Sequence, residues 1–332
     1  MDPADVRALG SEVGGAVVKI TVLMSVYNTP APMLERSIQS ILSQSLTAFE
    51  FLILDDGSTE PSTAAYLAEA AARDSRIRLL FEPHLGLTPC LNRGLALAQG
   101  DLIARQDADD WSEPQRLERQ AAYLALHPET GLLGSAAWTH QQDETALWPV
   151  TMPETHTEIL AAFAEGNPFI HGSTAFRTAL ARELGGYREK LHCSQDYDFF
   201  WRFTETAGAA NLAEPLYHYR YSATSISASR AAEQGRALRA ARLLAQARRR
   251  GEPEDIAGAL GRSGNLGEEG AGAVRAELKQ ADHMMLAGDY IRAGRAYRAL
   301  AWSCPASLLA WAKLARLLLF SRSPRLRRWS FR

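Results

Sequence analysis

The chain has 332 residues, 46% of them hydrophobic and 22% charged, with a formal net charge of −2. That composition belongs to a folded soluble protein with a sizeable core, and the near-neutral charge excludes bulk nucleic-acid binding. The length points to one large domain with an appendage.

Residues 1–18 read as a loose lead-in. Residues 20–26 form a continuous apolar run of strand type. Residues 32–44 carry helical spacing, with Leu34, Ile38, Ile41 and Leu42 on one face. A second buried-type strand over 49–54 ends in Asp55-Asp56-Gly57-Ser58. Residues 61–73 form an alanine-rich helix, and Pro61 suits its first turn. A strand over 77–81, a helix over 88–98 stopped by Gly100, a strand over 102–106 and a helix over 114–126 complete the series. Four apolar strands separated by helices predict an α/β fold whose parallel sheet is covered on both faces.

After Gly131 the pattern mixes. It predicts a strand over 132–138, a short helix over 159–164, a segment over 169–176 containing His171-Gly172-Ser173, a helix over 195–206 and a strand over 216–221. From about Arg230 the chain is helical and rich in Ala, Arg and Leu, with a Gly-rich joint over 261–272. Short helices follow over 273–287, 290–302 and 308–320, the first two joined by a Gly288-Asp289-Tyr290 turn. Residues 313–332 hold seven basic and no acidic residues, interleaved with Leu317, Leu318, Leu319, Phe320 and Trp329. Residues 311–332 suit either an interfacial helix on an anionic membrane or a solvated tail packed on the preceding helices. The helical extension as a whole would serve membrane contact, a partner or a homodimer.

Three cysteines, Cys90, Cys193 and Cys304, lie far apart without metal-ligand spacing, as reduced thiols of a cytoplasmic protein do. Residues 1–19 lack the basic start and long apolar stretch of a signal peptide. No run reaches the ~20 apolar residues that span a bilayer.

Ligands of parallel α/β sheets bind at the carboxyl ends of the strands. Two acidic clusters stand at such ends, Asp55-Asp56 and Asp107-Ala108-Asp109-Asp110. In an extended segment Asp107 and Asp109 face the same way, roughly 6–7 Å apart. Carboxylates so placed repel unless a cation or donors stand between them, and a hard divalent ion carrying a diphosphate meets that need. A solvated acidic turn is the plainer alternative.

Taken together, residues 19–227 resemble the family 2 glycosyltransferases, inverting nucleotide-sugar enzymes with the GT-A fold. The resemblance rests on Thr21-Val22-Leu23-Met24-Ser25-Val26-Tyr27-Asn28, Phe51-Leu52-Ile53-Leu54-Asp55-Asp56-Gly57-Ser58 and Leu91-Asn92-Arg93-Gly94-Leu95. It continues through Ile103-Ala104-Arg105-Gln106-Asp107-Ala108-Asp109-Asp110, His171-Gly172-Ser173 and Gln195-Asp196-Tyr197-Asp198. It implies a Rossmann-like, mostly parallel GT-A sheet flanked by helices over 19–228, with a C-terminal helical appendage over 229–332.

The resemblance also implies roles. Ser25, Val26 and Tyr27 would line the nucleotide pocket. Asp56 would accept a hydrogen bond from the base, usually the N3–H of uracil. Asp107 would lie at the ribose, and Asp109 would hold Mg²⁺ or Mn²⁺ bound to the diphosphate. Asp110 alternates away from Asp109 and takes a structural part. Arg93 and Arg105 would neutralise phosphate or stay on the surface. Asp196 would be the catalytic base, although an acid in a first helical turn is also favoured by capping and the dipole. Asp198, about 200° round the helix, cannot aim at the same hydroxyl. His171 would shape the acceptor site or form a hydrogen-bonded wall.

Two departures stand out. Gln195 replaces the first acid of the family's Glu-Asp motif, removing one negative charge. Tyr221 stands near where the family often carries a histidine in an Arg-x-His-x-x-Ser-x-Ser segment, with His218 close by. The implied activity is metal-dependent transfer of a sugar, with UDP-sugars favoured, to a glycan or lipid-linked acceptor in cell-surface polysaccharide synthesis. The alternatives are an inactive scaffold subunit of the same fold and, ranked lower, a sugar nucleotidyltransferase. The latter's Gly-rich basic loop is absent, since Asn28-Thr29-Pro30 follows the first strand.

Overall fold

The computed structural model describes residues 18–222 and 230–265, and beyond them 278, 280–282, 284–303 and 311–315. All but the last residue of the expected lead-in over 1–18, and much of the expected helices over 273–287 and 308–320, lie outside the described residues. So does the basic tail after residue 315.

The βα alternation is present. It runs β1 (Ile20–Val26), α1 (Ala31–Leu42), β2 (Glu50–Asp56), α2 (Pro61–Arg73), β3 (Ile77–Glu82), α3 (Leu87–Leu97) and β4 (Leu102–Asp107). The strands continue past their apolar runs into the acids, because Asp55, Asp56 and Asp107 still pair in register with neighbouring strands. β1 pairs in parallel with β2 on one side and β4 on the other, and β2 pairs in parallel with β3. The chain therefore winds outward through β2 and β3, then crosses back to β4 on the opposite flank of β1. That reversal opens a crevice at the carboxyl ends of β1 and β4.

The sheet then changes character. β5 (Trp111–Ser112), α4 (Arg116–Leu126), β6 (Thr130–His140), β7 (Ala146–Val150), α5 (His156–Ala162), β8 (Ala175–Arg177), α6 (Thr178–Glu183), α7 (Gln195–Thr206) and β9 (Gly208–Arg220) follow. The strand order is β3-β2-β1-β4-β8-β6-β9-β5, with β7 beside β6. β8 pairs antiparallel to β4 and to β6, and β5 antiparallel to β9. The sheet is thus mixed, with a parallel half that carries both acidic strand ends.

Val22, Met24, Phe51 and Ile53 pack with Leu34, Ile38 and Ile41 of α1 and Leu117 and Leu124 of α4 in one core. Each such side chain, fully buried, contributes about 1.5–3 kcal/mol. α7 is buried nearly all round. Its Phe199 and Phe203 meet Phe176 edge-on or tilted, and its Phe200 meets Phe169 edge-on.

Asp198 of α7 is fully buried between Arg188 at 3.0 Å and Arg202 at 2.9 Å. Arg202 also donates to the carbonyls of Leu184 and Gly186, both at 2.6 Å, which fastens the Gly185-Gly186 turn to the helix. Asp198 is therefore a structural ion pair, directed away from Asp196. Replacing Asp198 with Asn strands two buried guanidinium groups. We expect a loss of about 3–5 kcal/mol, read as a lower urea midpoint; an unchanged midpoint would count against this pairing.

Two compact units divide the chain: one comprising residues up to Trp138, Pro149–Glu189 and Gln195–Tyr219, the other Thr139–Trp148, Lys190–Ser194 and Arg220 onward. In the second unit, α8 (Ala231–Arg249) and α9 (Ile256–Asn265) enclose Leu191, Cys193, Ala237, Ala240, Leu244 and Ala259. The expected joint over 261–272 is corrected at its start, and its remainder, 266–272, lies outside the described residues. α9 runs through Gly261 and Gly264, anchored by buried Ala259 and by the Ser263 hydroxyl on the Ala259 carbonyl. The Gly288-Asp289 turn, with Gly288 at φ +88°, leads into α10 (Tyr290–Ser303) as expected. Among the described residues no helix is long and apolar enough to cross a membrane.

Candidate active site

The parallel register sets Ser25 opposite both Leu54 and Asp107, and Val26 opposite Asp55. Three polar positions, Ser25, Asp55 and Asp107, one from each of three strands, thus meet at the carboxyl ends of the strands. On the β2 side, the Asp56 carboxylate accepts the N–H groups of Leu85 at 2.8 Å and Gly86 at 3.0 Å. Nδ1 of His84 lies 3.1 Å from its Oδ2 and 3.0 Å from its backbone oxygen. Gly57, at φ +70°, allows this crossing, since a Cβ there would sit 2.6 Å from the His84 nitrogen. The His84 ring stacks on Tyr27 at 4.0 Å, and Tyr27 is 46% exposed. Asp55 takes both the amide and the hydroxyl of Ser58. Asn28, at φ +49°, accepts the amides of Thr59 and Glu60, so the strand end after β1 and the Asp-Asp-Gly-Ser loop form one unit.

Between the two acidic ends lies Cys90, whose sulfur accepts the Ser25 hydroxyl at 3.1 Å. Burial pushes this thiol up to about 11, with Asp56 raising it further and Arg105 opposing. The charge of Asp56 at the end of β2 and that of Arg105 in β4 are thus both felt at one buried atom.

On the β4 side, Arg105 is fully buried. It donates to the Leu23 carbonyl, to Asp107 Oδ1 at 2.6 Å and to His171 Nε2 at 3.4 Å. This corrects the expectation that Arg105 meets phosphate or stays on the surface. Arg93 stays on the surface, paired with Glu82 at 3.1 Å. Gln106 bonds the carbonyls of Asp107 and Asp110, both at 3.1 Å, and closes the acidic turn. Asp110 is buried, while Asp107 and Asp109 remain partly exposed.

The Asp107 amide donates to the Tyr217 hydroxyl at 3.2 Å. Gly172 packs on this pair: a Cβ there would overlap the Tyr217 hydroxyl and lie 2.8 Å from Asp107 Oδ2. The glycine of His171-Gly172-Ser173 is thus required by close approach.

Asp196 stands in the first turn of α7, directly after Ser194 at φ +59°. Its Oδ2 accepts from Asn167 Nδ2 at 2.7 Å. Burial raises its pKa above the usual carboxylate range, and the Asp107 charge raises it further, against backbone amides and Asn167. Tyr187 joins the halves. Its hydroxyl lies 3.0 Å from His171 Nε2. Burial raises its pKa; the Asp196 and Asp107 charges add to this and Arg105 opposes it. Arg105 only donates, so His171 Nε2 is an acceptor and receives the Tyr187 hydroxyl as well. Burial and the Arg105 charge hold the His171 imidazole well below its usual range, and it is neutral.

The structure thus brings Asp107, Arg105, His171, Tyr187 and Asp196 into one neighbourhood, with Gln195 buried beside Asp196. His218 is engaged elsewhere, bonded to Glu113 at 2.7 Å and stacked on Trp111 at 4.8 Å. Tyr221 donates its amide to His140 in the second unit. Asn167, Tyr187, Tyr217 and His84 are participants that the sequence did not reveal. Only Asn167-Pro168, a turn signal, hinted at one of them.

Asp109 and the Oδ2 side of Asp107 offer hard oxygen donors at a partly exposed turn. Among the described residues no group of three or more His, Cys, Asp or Glu forms a self-sufficient metal cage. One or two carboxylates completed by substrate phosphates is the usual setting of a magnesium-type ion, and these residues fit it.

A family model described as glycosyl transferase family 2 matches residues 21–185. The putative glycosyltransferase EpsE of Bacillus subtilis (strain 168) is 36% identical over 206 residues, which are 61% of this chain and 73% of EpsE. The chain belongs to glycosyltransferase family 2. A second relative, the amylovoran biosynthesis glycosyltransferase AmsE of Erwinia amylovora, is 31% identical over 60% of this family 2 chain and 75% of AmsE. The mannosyltransferase PcManGT from Pyrobaculum calidifontis, solved with GDP-Man and Mn²⁺, superposes with a TM-score of 0.53 at 17% identity, covering 98% of this chain and 88% of that one. S. aureus TarS 1-349 superposes with a TM-score of 0.50 at 19% identity, covering 90% of this chain and 88% of that one. At those identities the likeness shows the fold: the GT-A arrangement of a curled mixed sheet flanked by helices.

Proposed function

We propose that this glycosyltransferase moves a sugar from a nucleoside diphosphate, UDP favoured, to a hydroxyl of a glycan or lipid-linked acceptor, with inversion at the anomeric carbon. The observation that carries the reading is the neighbourhood of Asp107 and Asp196: a donor-side acid whose charge reaches the candidate base. Membership of the family and relatives named for polysaccharide synthesis support the acceptor class.

In this reading Ser25, Val26 and Tyr27 border the nucleotide. The base meets Asp56 by taking the place of the His84 ring on Oδ2. Asp107 lies at the ribose and Asp109 holds the divalent ion. The ion, when bound there, would stabilise the charge of the departing diphosphate. Asp196, held by Asn167, accepts the acceptor's hydroxyl proton. The freed oxygen bonds to the anomeric carbon from the face opposite the diphosphate, and the bond to the diphosphate breaks with its electron pair. Tyr187 and the neutral His171 form the wall beside the base and orient the acceptor.

A thermal-shift screen of UDP-, GDP- and dTDP-sugars with Mn²⁺ tests the donor class. One nucleotide family should raise the melting temperature in a concentration-dependent way. No shift with any of them, and no nucleotide release with any glycan acceptor, would favour the inactive scaffold reading.

A further inference from the structure

Two side chains of α4 hold the 171–173 turn from behind, and the proposed transfer uses neither. Arg116 is fully buried. Its Nη1 donates to the Arg105 carbonyl at 2.8 Å and to the Gly172 carbonyl at 2.7 Å. Its Nε and Nη2 have no hydrogen-bond partner. One turn later, Gln120 Nε2 donates to the Ser173 carbonyl at 2.7 Å. The guanidinium carbon lies 5.4 Å from the centre of the Tyr217 ring, whose hydroxyl accepts the Asp107 amide. Burial lowers the Arg116 pKa to about 10, so the group stays charged at neutral pH.

A buried cation with two idle nitrogens costs stability, and an apolar side chain of similar volume would fill the site more cheaply. The use of the charge lies in what it joins. The Arg105 carbonyl belongs to the strand that ends at Asp107, and the Gly172 carbonyl to the turn that carries His171.

We propose that Arg116 is a positioning residue that pins the 171–173 turn to the end of β4. Gly172 is thereby held against Asp107, and His171 against Arg105 and Tyr187. The groups facing His171 are Arg105 from β4, Tyr187 from the segment after α6 and the Phe200 ring from α7. Asp107 and Asp196 act on Tyr187 behind it.

The test compares Arg116→Met and Arg116→Lys with the wild type. In Arg116→Met the turn loosens and water reaches the imidazole. NMR titration of His171 should then move from its depressed value toward the unperturbed imidazole value of about 6.5. In an active wild type, kcat should fall by about 10–100-fold with donor KM changed by no more than about threefold, because the parallel pairing of β4 with β1 keeps the donor's strand ends in register without Arg116. The melting temperature should move little, since the relieved burial cost offsets two carbonyls left without a donor. Arg116→Lys keeps the charge but lacks the fork, and should recover part of the loss.

An unchanged His171 titration overturns the proposal whatever happens to kcat. So does an unchanged kcat, or a fall in kcat that follows a lowered melting temperature and disappears on cooling. The kinetic arm rests on the proposed transfer. A wild type that releases no nucleotide from any sugar nucleotide counts against that function alone, and the His171 titration then decides.

Discussion

Replacing Asp196 with asparagine is expected to lower kcat by about 10²–10⁴-fold while leaving donor affinity nearly intact. Asparagine keeps the shape and the contact to Asn167 but cannot take a proton. In the proposed reading donor affinity rests on the β1, β2 and β4 ends, which the substitution leaves alone. Calorimetric titration with the donor, beside steady-state kinetics, separates the two effects. A variant that turns over near the wild-type rate would remove Asp196 as base.

As the proposed base, the same group should set the pH dependence. A base works deprotonated, and burial with the Asp107 charge holds Asp196 above the ordinary carboxylate range. The acid limb of kcat/KM should therefore lie above that range, with the rate rising as pH increases through it. Stability runs the other way. The folded pKa is raised, so the folded state binds more protons than the unfolded state between the two values. Stability falls as pH rises from the unfolded pKa to the folded one, and the ionised carboxylate costs stability above it. Asp196→Asn should melt no lower than wild type at neutral pH, as expected of a residue kept for chemistry.

Replacing Asp109 with alanine should abolish the divalent-ion-dependent part of donor binding. Asp109 offers a partly exposed carboxylate at the turn that Gln106 closes, so its removal should leave the strand ends in place. Titrating the nucleotide with and without Mn²⁺ reads this directly. The wild type should bind more tightly with the ion, and the variant should bind equally weakly under both conditions. A variant whose titration keeps the wild-type Mn²⁺ dependence would take the metal away from Asp109.

The parallel half of the fold was legible because its signals are local. Four apolar runs and their intervening helical faces sit within residues 20–126, and each was readable from its own spacing. The two acidic strand ends followed from the same runs. The antiparallel half was less legible. β5 has two residues, and its partner in β9 lies more than a hundred positions away, so no window contains the pair. α9 was hidden by its glycines, which propensity counts against a helix while packing around Ala259 overrides that weak prior.

Within the candidate site, Asp107, Asp109 and Asp196 were singled out by motif. Arg105 was not. A charged residue in an apolar strand has an open fate until its partners are known, and they come from Leu23, Asp107 and His171. Asn167, which holds Asp196, and Tyr187, which joins Asp196 to His171, belong to loops with no periodicity to betray them. Arg116 carried no signal beyond its place on a helix.

The central claim is that the sheet edge at Asp107 and Asp109 and the first turn of α7 at Asp196 serve one reaction centre. A crystal structure with Mn²⁺ and a nucleoside diphosphate tests it most directly. The account predicts the diphosphate beside Asp109, the ribose at Asp107, and Asp196 facing the open side where the anomeric carbon would lie. A nucleotide bound elsewhere, or one that leaves Asp196 out of reach of any attacking hydroxyl, would contradict it.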